Sequence, residues 1–223
     1  MDNEQIRIAA VEFAKRNKSR IAKEFTDINI FKPDTRPVSV FMAGSPGAGK
    51  TEFSKSLISM FKNGVIRIDP DDIRPLLPGY TGNNSYLFQG AISLVVEKIH
   101  DFALKQKQNF IFDGTFSKYE KAKENIDRSI RSGRPVSIFY LYQKPEVAWK
   151  FTELREKAEG RNIPKEKFEE QFINAKETVA RIREEYDEKV EIFLVKKDFE
   201  KNSVEYVVEI RPDGKKVDEY LIN

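Results

Sequence analysis

The sequence predicts an α/β fold: a mostly parallel central sheet flanked by helices, with an N-terminal helix ahead of it and a C-terminal β-hairpin behind it. Three observations carry this. Short apolar runs alternate with longer segments whose apolar residues recur every three or four positions, the pattern of repeated strand–helix units. The first run, Val38-Ser39-Val40-Phe41-Met42-Ala43, leads directly into Gly44-Ser45-Pro46-Gly47-Ala48-Gly49-Lys50-Thr51, a complete G-x-x-x-x-G-K-[ST] loop set between a strand and a helix. Two later runs end in aspartate, at the strand ends where a parallel sheet builds its site.

The elements follow in order. Ile6, Ala9, Ala10, Phe13, Ala14, Ile21 and Phe25 mark an amphipathic helix over residues 3–25, with Lys15, Arg16, Lys18, Arg20 and Lys23 between them. Lys32-Pro33-Asp34-Thr35-Arg36-Pro37 reads as a linker, dividing a helical extension (1–36) from the phosphate-loop domain (37–223). A strand over 38–43 and a helix from Thr51 to Phe61 bracket the loop, and Val65-Ile66-Arg67-Ile68-Asp69 is the second strand. Phe88, Ala91, Val95, Ile99 and Phe102 mark a long second helix. Asn109-Phe110-Ile111-Phe112-Asp113 is apolar enough for a central strand. A polar helix starts near Ser117, and Val136 to Leu141 is the fourth strand. Pro145 sits at a helix start, and Phe168, Phe172, Ala175, Val179, Ile182 and Tyr186 stripe the next helix. Val190 to Val195 is the fifth strand. Val204–Ile210, Pro212-Asp213-Gly214 and Val217–Leu221 read as a hairpin, at about 203–222.

Composition excludes several classes. With no cysteine, disulfides, thiolate catalysis and Cys-based zinc sites are ruled out. One histidine, His100, rules out a multi-His metal site, and it falls on the polar side of its helix with no assigned role. Lys and Arg number 39 against 36 Asp and Glu, and this near balance does not favour a nucleic-acid groove. No apolar run reaches membrane-spanning length and the first residues are no secretory leader, so a cytoplasmic location is expected.

The loop carries the chemistry. Its glycines let backbone N–H groups turn inward around a phosphate chain. Lys50 reaches the β- and γ-phosphates, and the Thr51 hydroxyl takes one position on Mg²⁺, so ATP or GTP with Mg²⁺ is the expected ligand. Asp113 ends the third strand in Asp113-Gly114-Thr115 and reads as a second Mg²⁺ holder, the alternative being a turn signal. In Asp69-Pro70-Asp71-Asp72-Ile73-Arg74 an acid could accept a hydroxyl proton, or Asp71 or Asp72 could cap a short helix. Arg155 and Arg161 flank a charged segment between two helices, framed as a lid by Gly160 and Pro164; solvated arginines are the alternative.

This constellation resembles the zeta-toxin family over roughly residues 38–195, in the phosphate loop, in Ile68-Asp69-Pro70-Asp71-Asp72-Ile73-Arg74, in Asp113-Gly114-Thr115 and in the two arginines. The resemblance implies a P-loop kinase fold and a kinase acting on the amino sugar of UDP-N-acetylglucosamine, with an antitoxin as partner. It implies Asp71 as catalytic base, with Lys50, Arg155 and Arg161 on the phosphates. Glu97, sixteen residues before Asp113, matches a sugar-contacting acid, and Arg74 and Thr115 fall beside the substrate. Periodicity alone places Glu97 toward solvent. Tyr80, Asn83, Asn84 and Tyr86, in the segment expected to line the acceptor pocket, offer stacking and amide donors. Other acceptors (an antibiotic, a dinucleotide, a polynucleotide end) and a non-catalytic nucleotide switch are the competing readings. The helix over 3–25 either packs for stability or docks by the loop as an inhibitor in cis.

Overall fold

The computed structural model describes residues 2–160, 163–198, 203–211 and 215–220. Six strands form one sheet in the order β2-β3-β1-β4-β5-β6: β1 (Ser39–Ala43), β2 (Ile66–Ile68), β3 (Phe110–Phe112), β4 (Val136–Tyr142), β5 (Glu191–Asp198) and β6 (Ser203–Glu209). All neighbours are parallel except β5 and β6. The chain leaves β1 toward β2 on one side and leaves β3 toward β4 on the other. Right-handed crossovers therefore put the two connections on opposite faces, and a crevice opens where β1 and β3 end side by side.

Strand alternation divides the core accordingly. Val40, Met42, Ile111, Leu141 and Val195 pack against Phe53 and Leu57 of α2 (Lys50–Ile58). Phe41, Ile66, Ile68 and Phe110 face the larger cluster shared by α1 (Asn3–Phe25), α4 (Gln89–Lys105), α5 (Tyr119–Arg131) and α7 (Lys165–Tyr186). Short α3 (Pro70–Ile73) follows β2, and α6 (Pro145–Glu159) precedes α7.

α1 begins as its sequence suggests, with Asp2 capping it through a box shared with Gln5. It lies along α4, burying Ala10, Ala14, Ile21 and Ala22. Small residues on that face let the two helices approach closely. The expected linker is tied to the turn that leads into β3: Asp34 N donates to the Lys107 carbonyl at 2.8 Å, and Asn109 Nδ2 donates to Asp34 Oδ2 at 3.2 Å.

Two expectations are corrected here. The helix after the loop ends at Ile58, because Ser59 to Gly64 turn back to start β2. The C-terminal ribbon pairs β6 with β5, and Val217–Tyr220 is a 3₁₀ turn. β5 runs through Asp198, three residues beyond its apolar core at Val195, which supplies the length for β6 to pair. The expected turn at Pro212–Gly214 and the last hairpin residue, Leu221, lie outside the described residues.

Candidate active site

One cavity of about 900 Å³ opens over the C-terminal ends of β1 and β3. Pro46, Gly47, Gly49, Lys50 and Thr51 line one side of it. Gly44, Ser45 and Ala48 form the underside of the loop, and Gly44 N donates to the Thr115 carbonyl at 3.1 Å, tying the loop to the β3 end. Lys50 Nζ donates to the carbonyls of Gly44 (2.9 Å) and Ser45 (2.7 Å), holding the ammonium over its own loop. The loop is clamped from above by α6. Gly47 sits at φ 72°, and a Cβ there would lie 2.0 Å from the Ala148 carbonyl oxygen. Only glycine fits.

Asp69 caps α3, its carboxylate accepting from Asp71 N at 2.8 Å. The capping role therefore belongs to Asp69 and not to Asp71 or Asp72. That cap turns Asp71 into the cavity. Its Oδ1 pairs with Arg74 of the following turn, and its Oδ2 accepts from Arg155 at 3.0 Å. Arg74 is buried at 4% exposure, whereas the Arg155 side chain is 41% exposed. Arg155 lies within α6 and not between helices as expected, because α6 runs on to Glu159. Arg161 lies outside the described residues.

Arg67 was not singled out by sequence reasoning, yet it organises the acids. Its guanidinium pairs with Asp69, with Asp72 at 2.6 Å and with Asp113 at 2.9 Å. Ser54 Oγ donates to the same Asp113 oxygen at 2.8 Å. A charged residue between Ile66 and Ile68, pointing opposite to both, was the available signal. Burial pushes the Asp69 carboxyl up to about 6, Asp113 adds like-charge repulsion, and Arg67 only partly offsets them.

Thr51, Asp69 and Asp113 all line the cavity. A hydroxyl and carboxylates are the oxygen donors that Mg²⁺ takes, with water and substrate phosphate completing its shell. The donor chemistry of this wall therefore fits that ion.

The opposite wall comes from α4 and α5. Glu97, its side chain 45% exposed as its periodicity suggested, nevertheless lines the cavity and pairs with Lys121 of α5 at 2.7 Å. Thr115 lines the floor beside Ser117, their hydroxyls 2.9 Å apart. His100 is not on a polar side: it is 1% exposed, between the rings of Phe110 and Phe112. The expected stacking residues do not line this cavity. Tyr80 packs edge-on to Phe88, Tyr86 accepts from Asn3, and Asn84 closes its own turn through Thr81 N and the Gly79 carbonyl. Asn83 borders a separate cleft with Glu153, Glu156, Lys157 and Gly160. α1 contributes none of the described cavity-lining residues, and Lys15 and Arg20 pair with Glu12 and Glu24 of their own helix.

Strand order, crevice and loop define a phosphate-loop α/β protein. The zeta toxin family model matches residues 21–209, and the chain belongs to that family. It is 23% identical over 131 residues to the toxin PezT of Streptococcus pneumoniae serotype 4, covering 56% of this chain. The alignment spans only about half of that relative, 52%. Among solved structures, one from the PezAT chromosomal toxin–antitoxin system of S. pneumoniae aligns with a TM-score of 0.71 at 18% identity, covering 93% of this chain and 84% of that one. The AvrRxo1-ORF1:ORF2 complex with ATP aligns with a TM-score of 0.61 at 12% identity, over 93% and 67% of the two chains. Among the described residues, no helix is long and apolar enough to cross a membrane.

Proposed function

We propose that this protein is a phosphotransferase that moves the γ-phosphate of ATP or GTP to a hydroxyl of a small molecule, with a nucleotide sugar such as UDP-N-acetylglucosamine as the leading acceptor. The observation that carries the reading is Asp71, a carboxylate in the same cavity as the phosphate loop and held between two arginines of unequal burial.

The unequal burial suggests a sequence of events. The loop N–H groups and Lys50 bind the phosphate chain. Thr51 and Asp113 would hold Mg²⁺, which when bound would neutralise charge on the phosphate chain. Arg74 stays buried on Asp71 and fixes its orientation. Arg155, on the exposed side, exchanges Asp71 for the phosphoryl group as the acceptor enters. That single movement delivers positive charge where the transition state needs it and turns Oδ2 toward the acceptor hydroxyl. The acceptor proton passes to Asp71 as its oxygen attacks phosphorus and the bond to the leaving diphosphate breaks. Glu97 with Lys121, and Thr115 with Ser117, offer both signs of partner for sugar hydroxyl and amide groups.

By likeness to PezT and to the toxin–antitoxin structure, we extend the reading to a toxin restrained by an antitoxin protein. The test is direct. The full-length protein is incubated with Mg²⁺, ATP or GTP, and UDP-N-acetylglucosamine, and products are read by mass spectrometry. A phosphorylated sugar nucleotide that is absent with Lys50→Ala supports the reading. No product from this acceptor, but acceptor-dependent ATP turnover in a metabolite extract, would keep the transfer and replace the substrate. No turnover under either condition would leave a nucleotide-binding module and sink the kinase.

A further inference from the structure

β5 carries Lys197 to the phosphate loop. The residue is buried, 9% exposed, and lines the same cavity as Lys50. Its side chain occupies the space that a side chain on Gly49 would need: a Cβ built there would lie 2.9 Å from Lys197 Nζ and 2.9 Å from Cδ. Gly49 is the N-cap of α2, at φ 83°, with no side-chain cap. The lysine is aimed by the strand. The β5–β6 register shifts between Lys196 and Lys197, the kind of irregularity that redirects a side chain, and the Lys197 carbonyl accepts from Gln143 Nε2 at 3.4 Å.

This placement gathers positive charge around the loop. The N-terminus of a helix carries the positive end of its dipole, so an ammonium there has the wrong sign. Lys50 brings a second ammonium to the same cavity. A polyphosphate chain is the anion that suits this arrangement, because the loop N–H groups, the dipole and both lysines then face it together.

We propose that Lys197 is a second phosphate-binding lysine, which works beside Lys50 to hold the phosphate chain of the bound nucleotide. The inference rests on the nucleotide-binding reading above. It assigns a role to the end of β5, a position that no motif marks.

The test uses the full-length protein, with ATP affinity measured by calorimetry and melting temperature measured without nucleotide. Lys197→Met keeps the length and apolar stem and removes the charge. It should weaken ATP binding about 10- to 100-fold, the scale of one charge-assisted hydrogen bond, with an unliganded melting temperature close to that of wild type. Lys197→Arg should restore most of the affinity. Lys50→Ala is the reference for the site itself. ATP affinity of Lys197→Met within about twofold of wild type, alongside a large loss for Lys50→Ala, would overturn the inference and leave the nucleotide site standing. A lower unliganded melting temperature, or failure of both Lys197 variants to fold, would assign the residue to structure and also overturn it. Unchanged ATP affinity in both Lys197→Met and Lys50→Ala would remove the nucleotide site together with this inference.

Discussion

Asp71 and Arg67 show how two carboxylate–arginine contacts in one site serve different ends. Arg155 can leave Asp71, since its side chain is exposed, whereas Arg67 is held among three acids at 11% exposure. Asp71→Asn should lower kcat by about 10²–10⁴-fold, with ATP affinity little changed, because a base acts on the acceptor. If Asp69→Asn or Asp72→Asn shows that loss and Asp71→Asn does not, the base has been misassigned. Arg155→Ala should lower kcat with only modest change in ATP binding, and parallel losses in both would place the arginine in ground-state binding instead. Arg67 answers to stability. Arg67→Met leaves Asp69 and Asp113 buried together without their cation, which should cost about 3–5 kcal/mol in urea unfolding. A cost below about 1 kcal/mol would mean that the acids relax into solvent.

At the scale of elements, α6 and α1 each support one side of the cavity. α6 rests its Ala148 carbonyl on Gly47. Gly47→Ala must move either helix or loop, so nucleotide affinity should fall while the rest of the sheet stays intact. ATP calorimetry with a far-ultraviolet dichroism control reads this, and wild-type affinity would show that the clamp is soft. α1 packs along α4, which presents Ile92, Ser93, Val96 and Glu97 to the cavity from another face. Truncation at the Pro33–Pro37 segment uncovers the α4 surface that Ala10, Ala14, Ile21 and Ala22 bury. The fragment should melt several degrees lower or aggregate. A soluble fragment with faster turnover would instead restore the idea of inhibition in cis.

Across the whole molecule, the larger core contains one titrating liability. Burial, reinforced by the positive charges of Arg128, Arg134 and Lys121, lowers the His100 pKa from 6.5 to about 3. Above pH about 6.5 the imidazole is neutral in both folded and unfolded chains and adds no pH dependence. Below it the unfolded chain binds a proton that the folded chain refuses until about pH 3. His100 therefore removes stability as pH falls through that window, by up to about 1.4 kcal/mol per pH unit. Asp69, whose folded pKa is raised to about 6, acts in the opposite direction below that pH, so the net slope understates the histidine. His100→Leu should flatten the loss of stability between pH 6.5 and 4 relative to wild type. Equal slopes for the two proteins would show that His100 gains its proton in the fold. The same face-by-face division of the core that buries His100 leaves the crevice between β1 and β3 for the ligand.

The sequence by itself determined the features written in consecutive residues. The phosphate loop, the strand–helix alternation, the amphipathic α1 and the aspartates at strand ends each depend on spacing along one element, which periodicity reports directly. The family resemblance came from the same short stretches. Only the tertiary structure decided what depends on elements distant in the chain. Glu97 borders the cavity, where Lys121 meets it from another helix, and His100 is buried because the rings of β3 lie against α4. The partner of β6 was set by the length of β5, which continues through charged residues that a hydrophobic pattern cannot read. Arg67 and Lys197 escaped notice for the same reason. A lone charge in a strand looks like a solvated position until the neighbouring strands and helices show whether it meets acids or a phosphate loop.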